Sequence, residues 1–474
     1  MRARWIWFAS SLGLLTLHAL ADEPPVPPDV LRAWEALRRD PRTSRPPSTV
    51  RPPPPSLTRW SLANGLEVVL APDPRDARAR VSVTWRVGDG DGPPGQLQAA
   101  HAAEHLLFRP APGLDPLGPE LASVSIGRGG GTTFSDRTVY EGESAPEHLD
   151  RLLWLEARRM AHAERYVRAE ALDAERPVLR HEAELTTGRW SFLRGLAIRA
   201  ALAPEHRSHA AWGDLRAVDA LDVAAVAALV RDRYAPGNAR LVVAGRFEVA
   251  AARAAIERYF APVPARPVPP RPRDDGPLVF AAPRLRARTV HPDAVVVAWP
   301  GPPADGCHDA ALRVLAAVLR RSIAIDPWFG APDPDAPRWS LDVVRQGART
   351  ALVFEARVTN GRPHATTLRA MDDAIAGASA SVDALRPVDP ALRDALGDSI
   401  AEASRDLATR TARVAETPST DDPGGFRCER SITRDVTPAA LRELARGLFA
   451  APRLSIDFHR DPAVVGLQLD GEAP

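Results

Sequence analysis

The chain has 474 residues, and it contains no lysine, so that all 61 of its Lys+Arg positions are arginine. The absence of lysine excludes a phosphate-binding loop ending in Gly-Lys-Ser/Thr, a Schiff-base lysine and a Ser-Lys dyad. The basic residues nearly balance the 60 acidic ones, and a net charge of +1 does not suggest a protein that binds nucleic acid.

The first residues are typical of a secretory signal peptide. Two arginines lie within residues 1–4, an apolar run follows at Trp5–Leu20, and Ala19-Leu20-Ala21 is a small-x-small cleavage site. We therefore predict a signal peptide at residues 1–21 and a periplasmic or secreted protein. No later run reaches about 18 apolar residues, so we expect no stable membrane insertion after cleavage. Export makes a disulfide between Cys307 and Cys428 plausible, with two separate buried thiols as the alternative.

Two Pro/Arg-rich stretches divide the rest of the chain. Residues 22–55 form a predicted linker, with one short helix expected at Val30–Arg39, and residues 263–277 form a second linker. The stretches separate a predicted N-terminal domain, 56–262, from a predicted C-terminal domain, 278–474.

The two blocks resemble each other. The strand-like run Val81–Trp85 matches Val295–Trp299 at an offset of 214 residues. Near each block's end, an apolar helix precedes a proline and then a strand, Leu241–Ala244 in one block and Leu454–Phe458 in the other. Two matches at nearly one offset indicate a duplicated domain.

Strands and helices follow one another in each block without strict alternation. Predicted strands include Gly65–Leu70 and Val81–Val87, and predicted helices include Glu147–Met160 and Val223–Arg233. Some strands follow each other with no helix between them, which favours an α+β fold over a doubly wound parallel sheet. We predict two homologous sheet-and-helix sandwich domains that close on a ligand like a clamshell.

Residues 101–105 read His-Ala-Ala-Glu-His, within a predicted helix at Gln98–Phe108. Residues four apart share a helix face, so His101 and His105 can bind one metal ion. Glu104 lies near the same face and can deprotonate the attacking water without being a ligand. This order is the inverse of the commoner His-Glu-x-x-His motif.

The second block places aliphatic residues at the corresponding positions. An offset of 214 aligns residues 101–105 with 315–319, which read Leu-Ala-Ala-Val-Leu. The second copy therefore has an ordinary core helix where the first copy has three ionisable groups, whose burial requires partners or a metal.

A catalytic zinc ion requires a third protein ligand and one position left for water. Glutamates on a predicted helix in Glu164–Leu185 are the candidates: Glu170, Glu175, Glu182 and Glu184. Residue chemistry alone leaves the choice among them open.

The first block resembles the N-terminal half of the pitrilysin/insulinase family of zinc metallopeptidases, in particular the bacterial members related to mitochondrial processing peptidase. The matching segments are the Leu-Ala-Asn-Gly-Leu of 62–66, the inverted zinc motif with Leu-Leu-Phe after it, the Thr-Phe-Ser-Asp-Arg-Thr-Val-Tyr of 133–140, two glutamates seven residues apart, and the Tyr-Ala-Pro-Gly-Asn of 234–238. The resemblance is good across about 55–262 and weak afterwards.

The resemblance implies a role for each candidate residue. Glu182 becomes the third zinc ligand, and Glu175 becomes a carboxylate that orients a ligand. Seven residues are about two helical turns, so the two glutamates can share a helix face. Pro177 lies between them, and because proline disrupts a helix, a helix that begins near Pro177 would leave Glu175 just outside it. The alternative for Glu175 is a solvated helix charge.

The resemblance also implies that a peptide binds as an added strand along a sheet edge. In this chain that edge should include Gly130, Gly131, Thr132 and Thr133. The family often has Asn-Ala where Gly130 and Gly131 stand, so the asparagine side chain is missing here.

One feature of the family is missing from the second block. Members that act alone use an arginine and a tyrosine from that half to hold the substrate carbonyl, but no tyrosine follows Tyr259. Arg338 and Trp339 lie near the expected position, and tryptophan offers only an N–H donor. Either another donor serves, or a partner chain supplies the pair.

The sequence thus predicts an exported Zn²⁺-dependent endopeptidase that acts on peptides or small unfolded proteins, alone, as a homodimer or with a homologous partner subunit. A non-catalytic peptide-binding or assembly subunit of the same fold is the alternative. A serine hydrolase is excluded because no Gly-x-Ser-x-Gly sequence is present.

Overall fold

The structure is a computed structural model. It describes residues 57–92, 96, 98–114, 117–126, 129–187, 189–202, 215–270, 279–281, 283–302, 308–323, 339–346, 349–358, 363–386, 407–416, 436–464 and 467–469. The predicted signal peptide, the first linker with its helix, Cys307, Cys428 and Arg338 lie outside these residues. The predicted domain boundaries stay predictions, and Ser56–Pro474 is a single compact unit.

The described residues form two sheets with helices around them. In chain order the strands are β1 (Thr58–Ser61), β2 (Glu67–Pro72), β3 (Ala79–Trp85), β4 (Gly130–Thr133), β5 (Thr138–Ser144), β6 (Ala239–Gly245), β7 (Arg284–Thr289), β8 (Ala294–Pro300), β9 (Trp339–Gln346), β10 (Arg349–Arg357), β11 (Leu454–Arg460) and β12 (Leu467–Leu469). The helices are α1 (Ala99–Leu106), α2 (Leu117–Val124), α3 (Leu149–Ala161), α4 (Ala163–Tyr166), α5 (Ala169–Thr187), α6 (Trp190–Ala200), α7 (Leu215–Asp219), α8 (Val223–Arg233), α9 (Val249–Phe260), α10 (His308–Ile323), α11 (His364–Asp383), α12 (Leu407–Glu416) and α13 (Pro438–Ala450).

The two sheets share one strand order, which confirms the predicted duplication. The first is β1-β2-β6-β3-β5-β4, and the second is β12-β7-β11-β8-β10-β9. In each sheet one pair, β2 with β6 or β7 with β11, is parallel, while the remaining pairs are antiparallel. Val83 of β3 pairs with Leu241 of β6, and Val297 of β8 pairs with Ser455 of β11. The offset of 214 residues predicted from Val81–Trp85 therefore holds for β3 and β8, and the same offset relates β6 to β11.

The outermost strand beside the parallel pair differs between the copies. In the first sheet it is β1, which precedes its partner β2 in the chain, whereas in the second sheet it is β12, the last strand of the described residues. The core strands and the opposite edge follow the same order in both copies. The predicted fold class, an α+β fold with two homologous sheet-and-helix sandwiches, is therefore confirmed.

Both faces of each sheet are covered. In β2, Val68 and Leu70 face the large core of the first half, whereas Val69 packs on the other side. This alternation follows from the two-residue period of a strand. Because neither face meets solvent, β2, β6 and β8 carry nearly continuous apolar runs. The central strand β3 instead alternates valines with Ser82 and Thr84, which are also buried.

Each half contributes one helix to the sheet of the other half. Ile198 of α6 belongs to the apolar cluster on the second sheet, together with Val296 and Phe458. Val414 of α12 packs against Val242 of the first sheet. The sequence predicted both copies of the fold but not this exchange, which joins the two halves.

Polar contacts support the exchange. The Trp190 indole N–H of α6 donates to the Glu355 carboxylate at 3.1 Å. Arg240 Nη1 of the first sheet donates to the Val414 carbonyl at 3.1 Å, near the end of α12.

Among the described helices, none is both long enough and apolar enough to cross a membrane.

Candidate metal centre

Helix α1 carries the predicted metal motif and is buried along its whole length. The predicted helix at Gln98–Phe108 is confirmed, with α1 spanning Ala99–Leu106. Four alanines surround the chemical residues, and their small side chains let the helix lie close to the core of the first half. His101 and His105 lie on one face, with ring centroids 4.7 Å apart and ring planes almost perpendicular, at 87°.

Helix α5 brings the two predicted glutamates to the same place. It runs without interruption from Ala169 to Thr187, with Pro177 inside it. The helix therefore does not begin near Pro177, and it includes both Glu175 and Glu182. Proline removes only one backbone hydrogen bond from a long helix.

Contacts of the two residues just before Pro177 offset that loss. The Arg176 guanidinium donates to the carbonyls of Val218 at 2.7 Å and Leu221 at 2.6 Å. Glu175 is 3% exposed and accepts from His105 and Arg109. The alternative of a solvated charge at Glu175 is wrong.

Three potential ligands converge between α1 and α5. One donor atom from each of His101, His105 and Glu182 lies within 4.8 Å of the others. Glu182 Oε2 is 3.4 Å from His101 Nε2 and 3.2 Å from His105 Nε2. Two imidazoles and one carboxylate are the ligand set of catalytic zinc sites in which a fourth position serves water or substrate.

The other ring nitrogen of each histidine is held by an acceptor. His101 Nδ1 is 3.1 Å from Gln98 Oε1, and His105 Nδ1 is 3.0 Å from Glu175 Oε2. Since these oxygens accept, Nδ1 carries the hydrogen in a neutral ring, and the lone pair is on Nε2, which faces Glu182. Metal-binding histidines are commonly oriented in this way by a carboxylate or amide oxygen.

The buried Nε2 of His105 has no hydrogen bond within the described part of the chain. It is 3.2 Å from Glu182 Oε2, but the two groups do not have hydrogen-bond geometry. The Nε2 lone pair of His105 thus faces the Glu182 oxygen without a hydrogen between them. Two ligands that share one cation have this arrangement. The residues of this site therefore fit a zinc ion.

Electrostatics keep the third ligand ionised. Burial raises the pKa of Glu182, but its close contacts with the ring nitrogens of His101 and His105 outweigh burial and lower this pKa to about 2. For His105, burial lowers the pKa, yet the proximity and charge of Glu182 raise it above the ordinary value.

Glu104 lies beside the ligands at 4% exposure. The Thr133 hydroxyl donates to Glu104 Oε2 at 2.6 Å, so a residue of β4 fixes the orientation of the predicted base. Gly131, also in β4, leaves the space that this carboxylate occupies, because a Cβ there would be 2.5 Å from Glu104 Cγ. Gly130 has nothing within 4 Å of an added Cβ.

The predicted peptide-binding segment is a strand at a sheet edge. Residues 130–133 form β4, which is the last strand on its side of the first sheet among the described residues. Gly131 pairs with Tyr140 of β5 on the inner side. Thr133 is buried against Glu104, so its side chain orients the base rather than facing an added peptide.

Sequence reasoning missed three polar residues around the centre. Gln98 contacts His101 and lies three residues before it. Arg109 pairs with Glu175 and lies four residues after His105. This helical spacing was the signal that could have found both residues. Asp89 gave no such signal. It is 1% exposed, and burial, followed by the charge of Glu104, raises its pKa well above the ordinary value.

The second half has no tyrosine that could reach the site. Tyr140 and Tyr234 are buried in the core of the first half, with their hydroxyls 3.4 Å apart. Trp339 packs edge-on against Phe354, with ring centroids 5.9 Å apart, in the second half. Helix α10 carries Leu315 and Leu319 in the core of the second half, as the duplication predicts.

A family model described as "Peptidase M16 inactive domain" matches residues 220–326. This segment contains none of His101, Glu104, His105, Glu175 and Glu182. A search of curated proteins finds no match.

Solved structures match most of the chain. A protease from Helicobacter pylori is similar at a TM-score of 0.71 and 17% identity, over 85% of this chain and 99% of that one. The periplasmic protease PqqL from Escherichia coli matches at a TM-score of 0.65 and 16% identity, over 86% of this chain and 48% of that one, so this chain spans about half the length of PqqL. A peptidase M16 inactive domain from Pseudomonas fluorescens matches at 0.65 and 14% identity, over 85% of this chain and 98% of that one.

At these identities the structural matches establish the fold, and the family model adds a match in sequence. Pitrilysin itself is similar at a TM-score of 0.64 over 88% of this chain and 47% of that chain. The predicted resemblance is therefore confirmed: the chain has the duplicated fold of the pitrilysin-type M16 peptidases, and part of its sequence matches that family.

Proposed function

We propose that the chain is a zinc-dependent endopeptidase that hydrolyses peptides or small unfolded proteins. One observation carries the proposal. The Nε2 atoms of His101 and His105 both face the ionised Glu182, and their Nδ1 atoms are held by oxygen acceptors. A histidine pair that served only the core would not need both lone pairs directed at one half-buried carboxylate.

Zinc bound by His101, His105 and Glu182 supplies Lewis acidity to a peptide carbonyl and to the attacking water. Glu104 takes a proton from that water and later delivers it to the leaving amine. Thr133 keeps the Glu104 carboxylate in the orientation for this transfer through the 2.6 Å hydrogen bond. Burial of the site excludes bulk water and strengthens these interactions.

The substrate lies along β4 as an added strand. This edge is beside the base, because Gly131 and Thr133 of β4 both approach Glu104. Backbone pairing gives affinity without sequence preference, and side-chain pockets supply the specificity.

A second chain supplies the missing substrate contacts. This chain spans about half the length of PqqL, and its second half has no tyrosine. A homologous subunit with the arginine and tyrosine, or a second copy of this chain with another donor, completes the site. The protein acts in the periplasm or outside the cell, because residues 1–21 have the pattern of a signal peptide.

A non-catalytic peptide-binding subunit is the second candidate. It is favoured by the match to an inactive-domain model and by the structure from Pseudomonas fluorescens. It does not account for the three potential metal ligands His101, His105 and Glu182. The match to the inactive-domain family covers residues 220–326, and these ligands precede that segment.

Peptide cleavage by the zinc-loaded chain tests the proposal, both alone and mixed with a homologous subunit that carries the arginine and tyrosine. We expect cleavage by the wild type and a rate about 10²–10⁴-fold lower for Glu104→Gln, which loses the base. Zinc content should be the same in both. A zinc-loaded wild type that cleaves no peptide under either condition would support the non-catalytic reading.

A further inference from the structure

A second group of potential ligands lies in the second half, far from α1 in sequence. Asp293, His364 and His459 each place one donor atom within 4.8 Å of the other two, and all three side chains are half-buried. Asp293 immediately precedes β8, His459 lies near the end of β11, and His364 is the first residue of α11. The group therefore joins the second sheet to the start of a helix.

The strand register brings two of these residues opposite each other. Phe458 of β11 pairs with Ala294 of β8, so His459 and Asp293 are the next pair in this antiparallel ladder. Opposite residues in such a ladder have their side chains on the same face, with Cβ atoms about 5 Å apart. The first half has Gly245 opposite Ala79 at the corresponding positions, so the group is specific to the second half.

Hydrogen bonds hold the third residue and the carboxylate in place. His364 Nε2 is 2.8 Å from the Phe458 carbonyl oxygen. A carbonyl only accepts, so Nε2 carries the hydrogen, and the lone pair of the neutral ring is on Nδ1. The Arg460 backbone N–H donates to Asp293 Oδ1 at 2.6 Å, which fixes the carboxylate.

The two imidazole rings of His364 and His459 lie close together. Their ring centroids are 4.1 Å apart, with 39° between the ring planes. Two neutral rings at this separation can share one cation. Two imidazoles with a carboxylate favour zinc and similar transition metals over calcium or magnesium, which prefer oxygen ligands.

We propose that Asp293, His364 and His459 form a second binding site for a zinc-like divalent cation, with a structural role. The bound ion ties the beginning of α11 to the ends of β8 and β11. This site is independent of the proposed peptidase activity, because none of its residues belongs to the cluster on α1 and α5. The second copy of the fold thus has a metal site at a position where the first copy has none.

Zinc stoichiometry tests the proposal with zinc alone as the probe. We expect two ions per wild-type chain, and one ion in the variant His364→Gln/His459→Gln. A variant with His101→Gln and His105→Gln should also retain one ion. His291→Gln serves as the matched control, since this histidine lies in the turn before β8 outside the group, and it should retain two ions.

Thermal unfolding gives a second readout. Zinc should raise the melting temperature of the His101→Gln/His105→Gln variant, and the increase should be lost when His459→Gln is added. A folded His101→Gln/His105→Gln variant that binds no zinc would overturn the proposal. If that variant fails to fold, an unchanged zinc content in His364→Gln/His459→Gln relative to wild type would overturn it instead.

Discussion

At the residue scale, the proposed zinc ligands depend on the groups behind them. Glu175 accepts from His105 Nδ1 at 3.0 Å and also pairs with Arg109, so it determines which ring nitrogen of His105 faces the metal. Gln98 has the same position behind His101. These contacts make the neutral, Nε2-directed form of each histidine the one that the fold favours.

Replacing the carboxylate of Glu175 tests this role. We expect Glu175→Gln to weaken zinc binding by about 10–100-fold, because the amide is a poorer acceptor and leaves Arg109 without its charge partner. Glu184→Gln is the matched control, since Glu184 is on the same helix and exposed. Zinc titration of both variants is the measurement, and equal affinities would contradict the role of Glu175.

Gly131 tests how closely β4 must approach Glu104. A methyl group at residue 131 would be 2.5 Å from Glu104 Cγ and 2.6 Å from Oε1, so Gly131→Ala should displace the carboxylate. We expect peptide cleavage to fall by about tenfold or more, in the range that misplacing a catalytic group by about 1 Å produces. Gly130→Ala is the control, and cleavage by the two variants at the same rate would show that Glu104 has room to move.

Part of this site could be predicted from sequence alone. The four-residue spacing of His101 and His105 is a local property, and so is the position of Glu104 between them. Glu182 is 77 residues after His105, and only the resemblance chose it among four glutamates, because helix packing is not visible in a single sequence. The resemblance placed Glu175 behind a ligand, but whether the helix continues through Pro177 depends on tertiary contacts that a single sequence does not show.

At the scale of elements, the exchange of helices joins the halves. The strand pattern did predict both sheets, because β3 and β8 carry matching strand-like runs, each with a tryptophan near its end. Nothing in the sequence indicated which sheet covers α6 or α12. The partner of a helix depends on distant contacts that periodicity does not encode.

Truncation of one residue on α6 tests this exchange. Ile198 is 1% exposed on the second sheet, so Ile198→Ala should lower the free energy of unfolding by about 2–5 kcal/mol through lost burial and a cavity. Leu185→Ala is the control, because Leu185 is 54% exposed, and its cost should stay within about 0.5 kcal/mol. Denaturant unfolding measures both, and similar costs would show that α6 is not packed on the second sheet.

At the scale of the whole molecule, one fold is used twice with different chemistry. The first copy has histidines and a glutamate on α1, where the second copy has Leu315, Val318 and Leu319 in its core. The absence of lysine leaves arginine as the fixed cation around both copies, so in the proposed mechanism zinc carries the electrophilic role and arginine is the fixed cation available to help.

The central claim is that His101, His105 and Glu182 hold zinc. An anomalous difference map from a zinc-containing crystal, recorded on both sides of the zinc edge, tests it most directly. The account predicts a zinc peak between the Nε2 atoms of the two histidines and the Glu182 carboxylate, with none beside Leu315 and Leu319 of the second copy. A folded, zinc-saturated crystal with no peak at the first site would contradict the account.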